Sequence, residues 1–481
     1  MEETIEMVQF REALNQLPWP ELTHAYGQAT DTPGHLLTLL SDNPNERSHA
    51  LAELWASICH QGSVYEASCA SVPFLIRLLQ EGPADVRPAI LYLLADLAHR
   101  DWHVQRNVRT LRIEHTFDEE HGNQWRHTWW CPGEFLTRGN EYHELRWMTQ
   151  AYMLVAEGLA DYLALLSAGD DSTVQAALHL LAAFPEAGEP LLQAMGKQLA
   201  DRTRAGDEVL EADALLDLAA LLSTDSPRWD CYYDRLIATP EAQSHPLVRY
   251  AAAVAFARFR PTATPAEAVA VLVDALVTPQ RLDERYELLA SADYGTSVHV
   301  EACQLLSQLP GSQGVEAIVT ALDRGAERWR VLDTVRVAEA LLDAAFFGAW
   351  VQGRSWSHTT PNPGEVTLEQ MAQVLMTGDR RPYDERSYHG YGRSYSYVEA
   401  FTFKITCFSI KEEAEYIHAR ITNTGGAAFT TAQRQALQAI LRCEPLWNVH
   451  HELLEIYGLP REREDLEGLL SRRSSVPSRT R

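Results

Sequence analysis

VRYAAAVAFARF, residues 248–259, is the stretch on which the reading of the fold turns. Val248, Ala251, Ala252, Ala255 and Phe256 follow the spacing i, i+3, i+4, i+7, i+8, which lines all five along one face of a helix. Its signature is Val, two residues of any kind, Ala, then apolar residues one and two turns on. The signature recurs at VRPAILYLLADLA from Val86, VQAALHLLAAF from Val174 and VLEADALLDLAALL from Val209. A looser copy, VHVEACQLLSQL, starts at Val298, and another, VRVAEALLDAAF, at Val335. Start to start, the copies lie 88, 35, 39, 50 and 37 residues apart. Stacked helical repeats have periods of about 34 to 47 residues. The first interval is the outlier, and leaving out residues 102–146 shortens it to 43. Residues 102–146 therefore read as an insertion in a regular helical array.

Second helices lie between the copies: VPFLIRLLQEG (72–82), GEPLLQAMGKQL (188–199), PAEAVAVLVDALV (265–277) and GVEAIVTALDRG (314–325). Gly, Pro, Asp and Ser at their boundaries are the expected stop and start signals. In such an array each helix pair packs only on its neighbours and leaves an extended concave surface.

Particular segments carry a family resemblance. HQGSVYEASCASVPFLIRLL (60–79) and WMTQAYMLVAEGLADYLALLSAGDDSTVQAALHLLAAFPE (147–186) resemble bacterial HEAT-repeat (armadillo-like) proteins. TTAQRQALQAILRCEPLWN and the later YGLPREREDLEGLL are similar to the C-terminal capping helices of that group. The matches span roughly two-thirds of the chain. They imply an all-α fold, a right-handed α-solenoid of stacked HEAT-like helix pairs, forming one domain over residues 1–470. They imply no mechanism, because such arrays mostly serve as interaction scaffolds. The tail SRRSSVPSRTR (471–481) is basic, poor in apolar residues and expected to be disordered.

Composition narrows the function. With 46% hydrophobic and 22% charged residues, the chain can bury a core. No apolar run approaches the roughly 18 residues that span a membrane, and MEETIEMVQF lacks the basic and apolar regions of a secretory signal. The seven cysteines are scattered without a C-x-x-C pair, which points to reduced thiols and a cytoplasmic location. A formal charge of −25 argues against general nucleic-acid binding and favours a basic partner or plain solubility.

Two regions break the array. In the insertion, RTLRIEHTF (109–117) and QWRHTWWC (124–131) alternate around the turn residues DEEHGN, which predicts an inserted β-hairpin over about 109–131. Matching the apolar faces pairs Phe117 with Trp125, His115 with His127, Ile113 with Trp129 and Leu111 with Cys131. Facing imidazoles at His115 and His127 would suit a divalent metal, with Cys131, His121 or a Glu completing the site. The same pair also suits plain packing among Trp and Phe, since no H-x-x-H or H-E-x-x-H spacing is present. Trp125, Arg126, Trp129 and Trp130 are residue types enriched at interface hot spots, so this edge is a candidate partner surface or a cover for the array.

The second irregular segment, about 350–406, contains DRRPYDERSYHGYGRSYSYVEAFTFKI. Arg380, Arg381, Tyr383, Arg386, Tyr388, Tyr391, Arg393 and Tyr395 interleave with Ser and Gly, the mixture that adaptable binding loops use.

Reaction motifs are missing: no G-x-S-x-G, no phosphate loop and no H-E-x-x-H. Carboxylates are abundant, and most fall at helix positions expected to face solvent. The sequence thus predicts a non-enzymatic scaffold without a cofactor, binding a basic protein, by analogy an immunity or regulatory partner of a bacterial toxin. The alternatives are a nucleic-acid-binding protein of the HEAT-like DNA glycosylase type, using a local Arg patch, and a metal-dependent enzyme on the inserted hairpin.

Overall fold

The computed structural model describes residues 5–98, 116–118, 124–126, 147, 150–223, 225–237, 245–289, 297–347, 429–449, 454, 459–460 and 462–471. These residues are mostly helical, with two short two-stranded sheets. They fall into two compact units, the first holding the helices up to Leu221 and the second those from Pro246 onward.

The first unit opens with α1 (Ile5–Asn15), the strands β1 (Thr23–His24) and β2 (Gly27–Gln28), and α2 (Thr32–Thr38). Then come α3 (Pro44–Ile58), α4 (Glu66–Glu81) and α5 (Arg87–Leu97). β3 (Thr116–Asp118) and β4 (Gln124–Arg126) follow, then α6 (Gln150–Ala156) and α7 (Leu159–Ala168). α8 (Asp171–Leu181), α9 (Gly188–Ala205) and α10 (Glu208–Leu221) complete the unit. α11 (Asp230–Ile237) follows. Helix starts obey ordinary capping chemistry. Asn43 caps α3 ahead of Pro44, the Asp170 carboxylate accepts from the Thr173 N–H at the start of α8, and Asp207 does the same for α10. α9 stops at Gly206, whose φ of +72° is the left-handed cap that glycine adopts freely.

Packing within this unit follows the order of the helices. α5, α8 and α10 pack in one row, α4, α7 and α9 in a second, and α4–α5, α7–α8 and α9–α10 join the rows. Leu91, Leu94, Ala177, Leu181, Leu215 and Ala219 are buried between these helices.

The second unit repeats the scheme with α12 (Pro246–Phe259), α13 (Ala266–Val277), the short α14 (Asp283–Tyr286), α15 (Val298–Ser307), α16 (Gln313–Gly325) and α17 (Val331–Leu342). Its last described helices are α18 (Thr431–Arg442), α19 (Glu444–Val449) and α20 (Arg463–Ser471). Here α12, α15 and α17 form one row and α13, α16 and α18 the other. α17 ends in a π-helical turn, Asp343–Phe347. All six copies of the Val-x-x-Ala signature lie on helices of the first row in their unit, and the four intervening segments lie on α4, α9, α13 and α16.

β3 and β4 pair antiparallel with Phe117 opposite Trp125 and Thr116 opposite Arg126. That is the register given by matching apolar faces. The other expected pairs, and so the longer hairpin, lie outside the described residues.

Candidate functional site

Most of the residues singled out from the sequence fall outside the described part of the chain. This holds for His115, His127, Trp129 and Trp130, and for Arg380, Arg381, Tyr383, Arg386, Tyr388, Tyr391, Arg393 and Tyr395. Trp125 and Arg126 are placed by their backbone alone, on β4. Among the described residues, no three His, Cys, Asp or Glu side chains come together to hold a metal ion.

What the described residues do bring together is a turn in the first unit that the sequence reading passed over. β1 and β2 pair His24 with Gly27 across the two-residue connection Ala25–Tyr26. Gly27 sits at φ +119°, a conformation that glycine adopts without a steric penalty. The Ala25 N–H donates to the Ser57 carbonyl at the end of α3 (3.0 Å), tying the turn to that helix. The tip projects Tyr26, 68% exposed.

Donor and acceptor accounting fixes the buried side of this cluster. The Tyr26 backbone N–H donates to His24 Nδ1 at 3.1 Å, so that nitrogen carries the lone pair. The proton therefore sits on Nε2 and is donated to Asp31 Oδ1, 2.9 Å away. The His24 side chain is 3% exposed and that of Asp31 54%. Burial alone would raise the Asp31 carboxyl. The His24 hydrogen bond and a backbone N–H, with the neighbouring imidazoles of His24 and His35, outweigh it and hold the group below its usual value. His35 Nε2 lies 3.9 Å from Asp31 Oδ2.

His60 joins the cluster from a distance of 34 residues along the chain. Its Nδ1 lies 3.1 Å from the Ala56 carbonyl and 3.4 Å from the Tyr26 hydroxyl. A carbonyl can only accept, so Nδ1 carries a hydrogen, and in the neutral imidazole the lone pair is on Nε2. Tyr26 meets both imidazoles edge-on, with ring centroids 6.2 Å from His24 and 5.5 Å from His60. The only sequence signals for this site were the Tyr-Gly pair and the Asp-Thr-Pro helix start.

The second unit holds a different polar group, this one buried. The Glu301 carboxylate on α15 accepts from the Tyr250 hydroxyl (2.7 Å) and the Arg258 guanidinium (2.6 Å), both on α12. Side-chain exposure is 10% for Arg258 and 6% for Glu301. Burial, and then the Glu301 charge, push the Tyr250 phenol well up, so it stays a donor. The network ties α12 to α15.

The expectation that the carboxylates lie on solvated faces needs correction at particular positions. Glu211, Asp213 and Asp217 on α10 and Glu301 on α15 are buried. Asp213 accepts a short hydrogen bond from Gln175 on α8. Four of the five described cysteines are buried, and burial pushes the Cys59 and Cys303 thiols up, which removes them as nucleophiles. Among the described residues no single helix is long and apolar enough to cross a membrane.

No family model, curated protein or solved structure matches the chain.

Proposed function

We propose that the chain is a HEAT-like α-solenoid acting as a non-enzymatic binding scaffold for a basic protein. Its use would be that of an immunity or regulatory partner of a bacterial toxin, and its location the cytoplasm. The observation that carries this reading is the two-row packing inside each unit, with α5–α8–α10 against α4–α7–α9 and α12–α15–α17 against α13–α16–α18. Rows of this kind offer a long surface instead of a single pocket. Charge then selects the partner: 66 acidic against 41 basic side chains favour a cationic surface and disfavour phosphate.

The test is affinity capture from nuclease-treated native lysate with the full chain as bait. At an ionic strength of about 0.01 M, where charges act over about 30 Å, the expected product is a basic protein. It should be released near 1 M salt, where that range shrinks to about 3 Å. Recovery of nucleic acid from untreated lysate with no basic protein in either sample overturns the reading. Stoichiometric metal in the purified chain would move it towards the metal-dependent enzyme.

A further inference from the structure

We infer that the turn carrying Tyr26, with His60 and Asp31, is a docking point for an arginine side chain of the partner protein. This rests on the scaffold reading and names one place where the basic partner is held.

The inference follows from what the cluster presents. Tyr26 is 68% exposed, yet its ring is edge-on to two imidazoles and its backbone N–H is fixed on His24. An exposed aromatic ring that is already held loses little freedom when a partner stacks on it. The His24 tautomer directs its one N–H to Asp31 Oδ1, so that proton is spent inside the cluster. The His60 tautomer spends its N–H on the Ala56 carbonyl and leaves Nε2 as an acceptor. Asp31 is half exposed, and its second oxygen lies 3.9 Å from His35 Nε2.

Outward, then, the cluster offers a π face, a phenol oxygen, an imidazole lone pair and a carboxylate oxygen. Its one spare proton is that of the phenol. An anion would meet a carboxylate and almost no donors. A guanidinium suits these groups better than an anion does: it is a flat cation for the tyrosine face and carries N–H donors for an acceptor beside it. Lysine offers a point charge without the fork or the flat face, so arginine is the better complement.

The experiment uses the full chain and two probes, a tetra-arginine and a tetra-lysine peptide, titrated calorimetrically at low salt. A benzophenone-bearing arginine peptide maps the contact by photo-crosslinking. The expected result is tighter binding of the arginine peptide, weakened about fivefold by Tyr26→Ala and nearly unchanged by Tyr26→Phe, which keeps the π face. Crosslinks should fall within residues 23–31 or 56–63. Circular dichroism on each variant checks the fold, and the crosslink map needs no variant at all. Wild-type binding left unchanged by Tyr26→Ala, with crosslinks elsewhere, overturns the docking point but leaves the acidic scaffold intact. No binding of either peptide by the wild-type chain overturns the docking point, whereas loss of the scaffold reading itself is read from the lysate capture.

Discussion

Arg258→Met is the substitution that most directly tests the energetics of the second unit. Arg258 and Glu301 are nearly buried and 2.6 Å apart, across α12 and α15. Removing the guanidinium leaves a buried carboxylate with the Tyr250 hydroxyl, 2.7 Å away, as its remaining donor. Stranding a buried charge costs about 3–5 kcal/mol, against about 0–1 kcal/mol for an exposed pair. Such a loss is a large share of the 5–15 kcal/mol or so by which a domain is stable. Tyr250→Phe, which deletes one hydrogen bond to a charged group, should cost about 1.5–3 kcal/mol. The double variant Arg258→Met/Glu301→Leu strands no charge, so it should stay close to wild-type stability and be far milder than the sum of its single variants. Urea denaturation followed by circular dichroism gives the free energies, and hydrogen exchange on α12 and α15 locates the loss. A cost under about 1 kcal/mol for Arg258→Met, or additive single variants, would refute the claim that this pair is buried and coupled.

Three further substitutions probe other parts of the chain. Gly314→Ala places a Cβ 2.3 Å from the Leu306 carbonyl oxygen, so α16 must move off α15; we expect a loss of about 1–3 kcal/mol in a thermal melt, and an unchanged melt contradicts this contact. Gly27→Ala meets no atom within 4 Å, so its cost of about 1–3 kcal/mol comes from φ +119° alone. Faster amide exchange at Tyr26 is the readout, and unchanged exchange counts against a strained position. His299 concerns pH: burial pulls its imidazole below the ordinary 6.5, against carbonyl acceptors from Leu276 and Asp333 on its two nitrogens (3.3 Å each). The unfolded chain takes up the proton first, so stability of the second unit should fall as pH drops through 6.5 and level off below the depressed folded value. His299→Gln should flatten that slope, and an unaltered slope assigns it to another group.

How much of this was legible depended on how far apart the interacting residues lie. The helices were visible because the 3.6-residue period persists through VRYAAAVAFARF and its copies, and each copy is a helix. The looseness of VHVEACQLLSQL also has a physical reason. Glu301 takes the position that the other copies give to Ala, His299 is buried two residues before it, and both have partners on neighbouring helices. Those partners are 23 to 51 residues away, so no local pattern announces them. Likewise Asp213 and Asp217 looked like solvated positions four apart on a helix, yet both are buried. The Tyr26 turn escaped because strands of two residues have no alternation to detect. His60 is 34 residues from Tyr26 in sequence, and only the fold sets the two side by side.

These buried polar contacts also address a problem that the repeat creates for itself. Faces built from Ala and Leu are nearly interchangeable from one copy to the next, and apolar packing alone tolerates a slip of one helix turn. Each described step from α3 to α5 and on to α8 and α10 carries a directional contact. Trp55 on α3 donates to Asp96 on α5 (2.9 Å), and the Tyr92 ring on α5 meets His179 on α8 edge-on at 5.3 Å. Gln175 on α8 bonds Asp213 on α10. In the second unit, Tyr250 and Arg258 on α12 hold Glu301 on α15, and His299 on α15 meets the Asp333 carbonyl on α17. Each pair is satisfied at one register and left unpaired one turn away, where the desolvation cost of about 1–3 kcal/mol per buried group opposes the slip. The hypothesis is that such pairs supply register more than stability. It separates from a purely energetic role in Arg258→Met/Glu301→Leu: stability should stay close to wild type while amide exchange on α12 and α15 becomes heterogeneous. A double variant that keeps one uniform exchange pattern would leave register to the Ala and Leu faces.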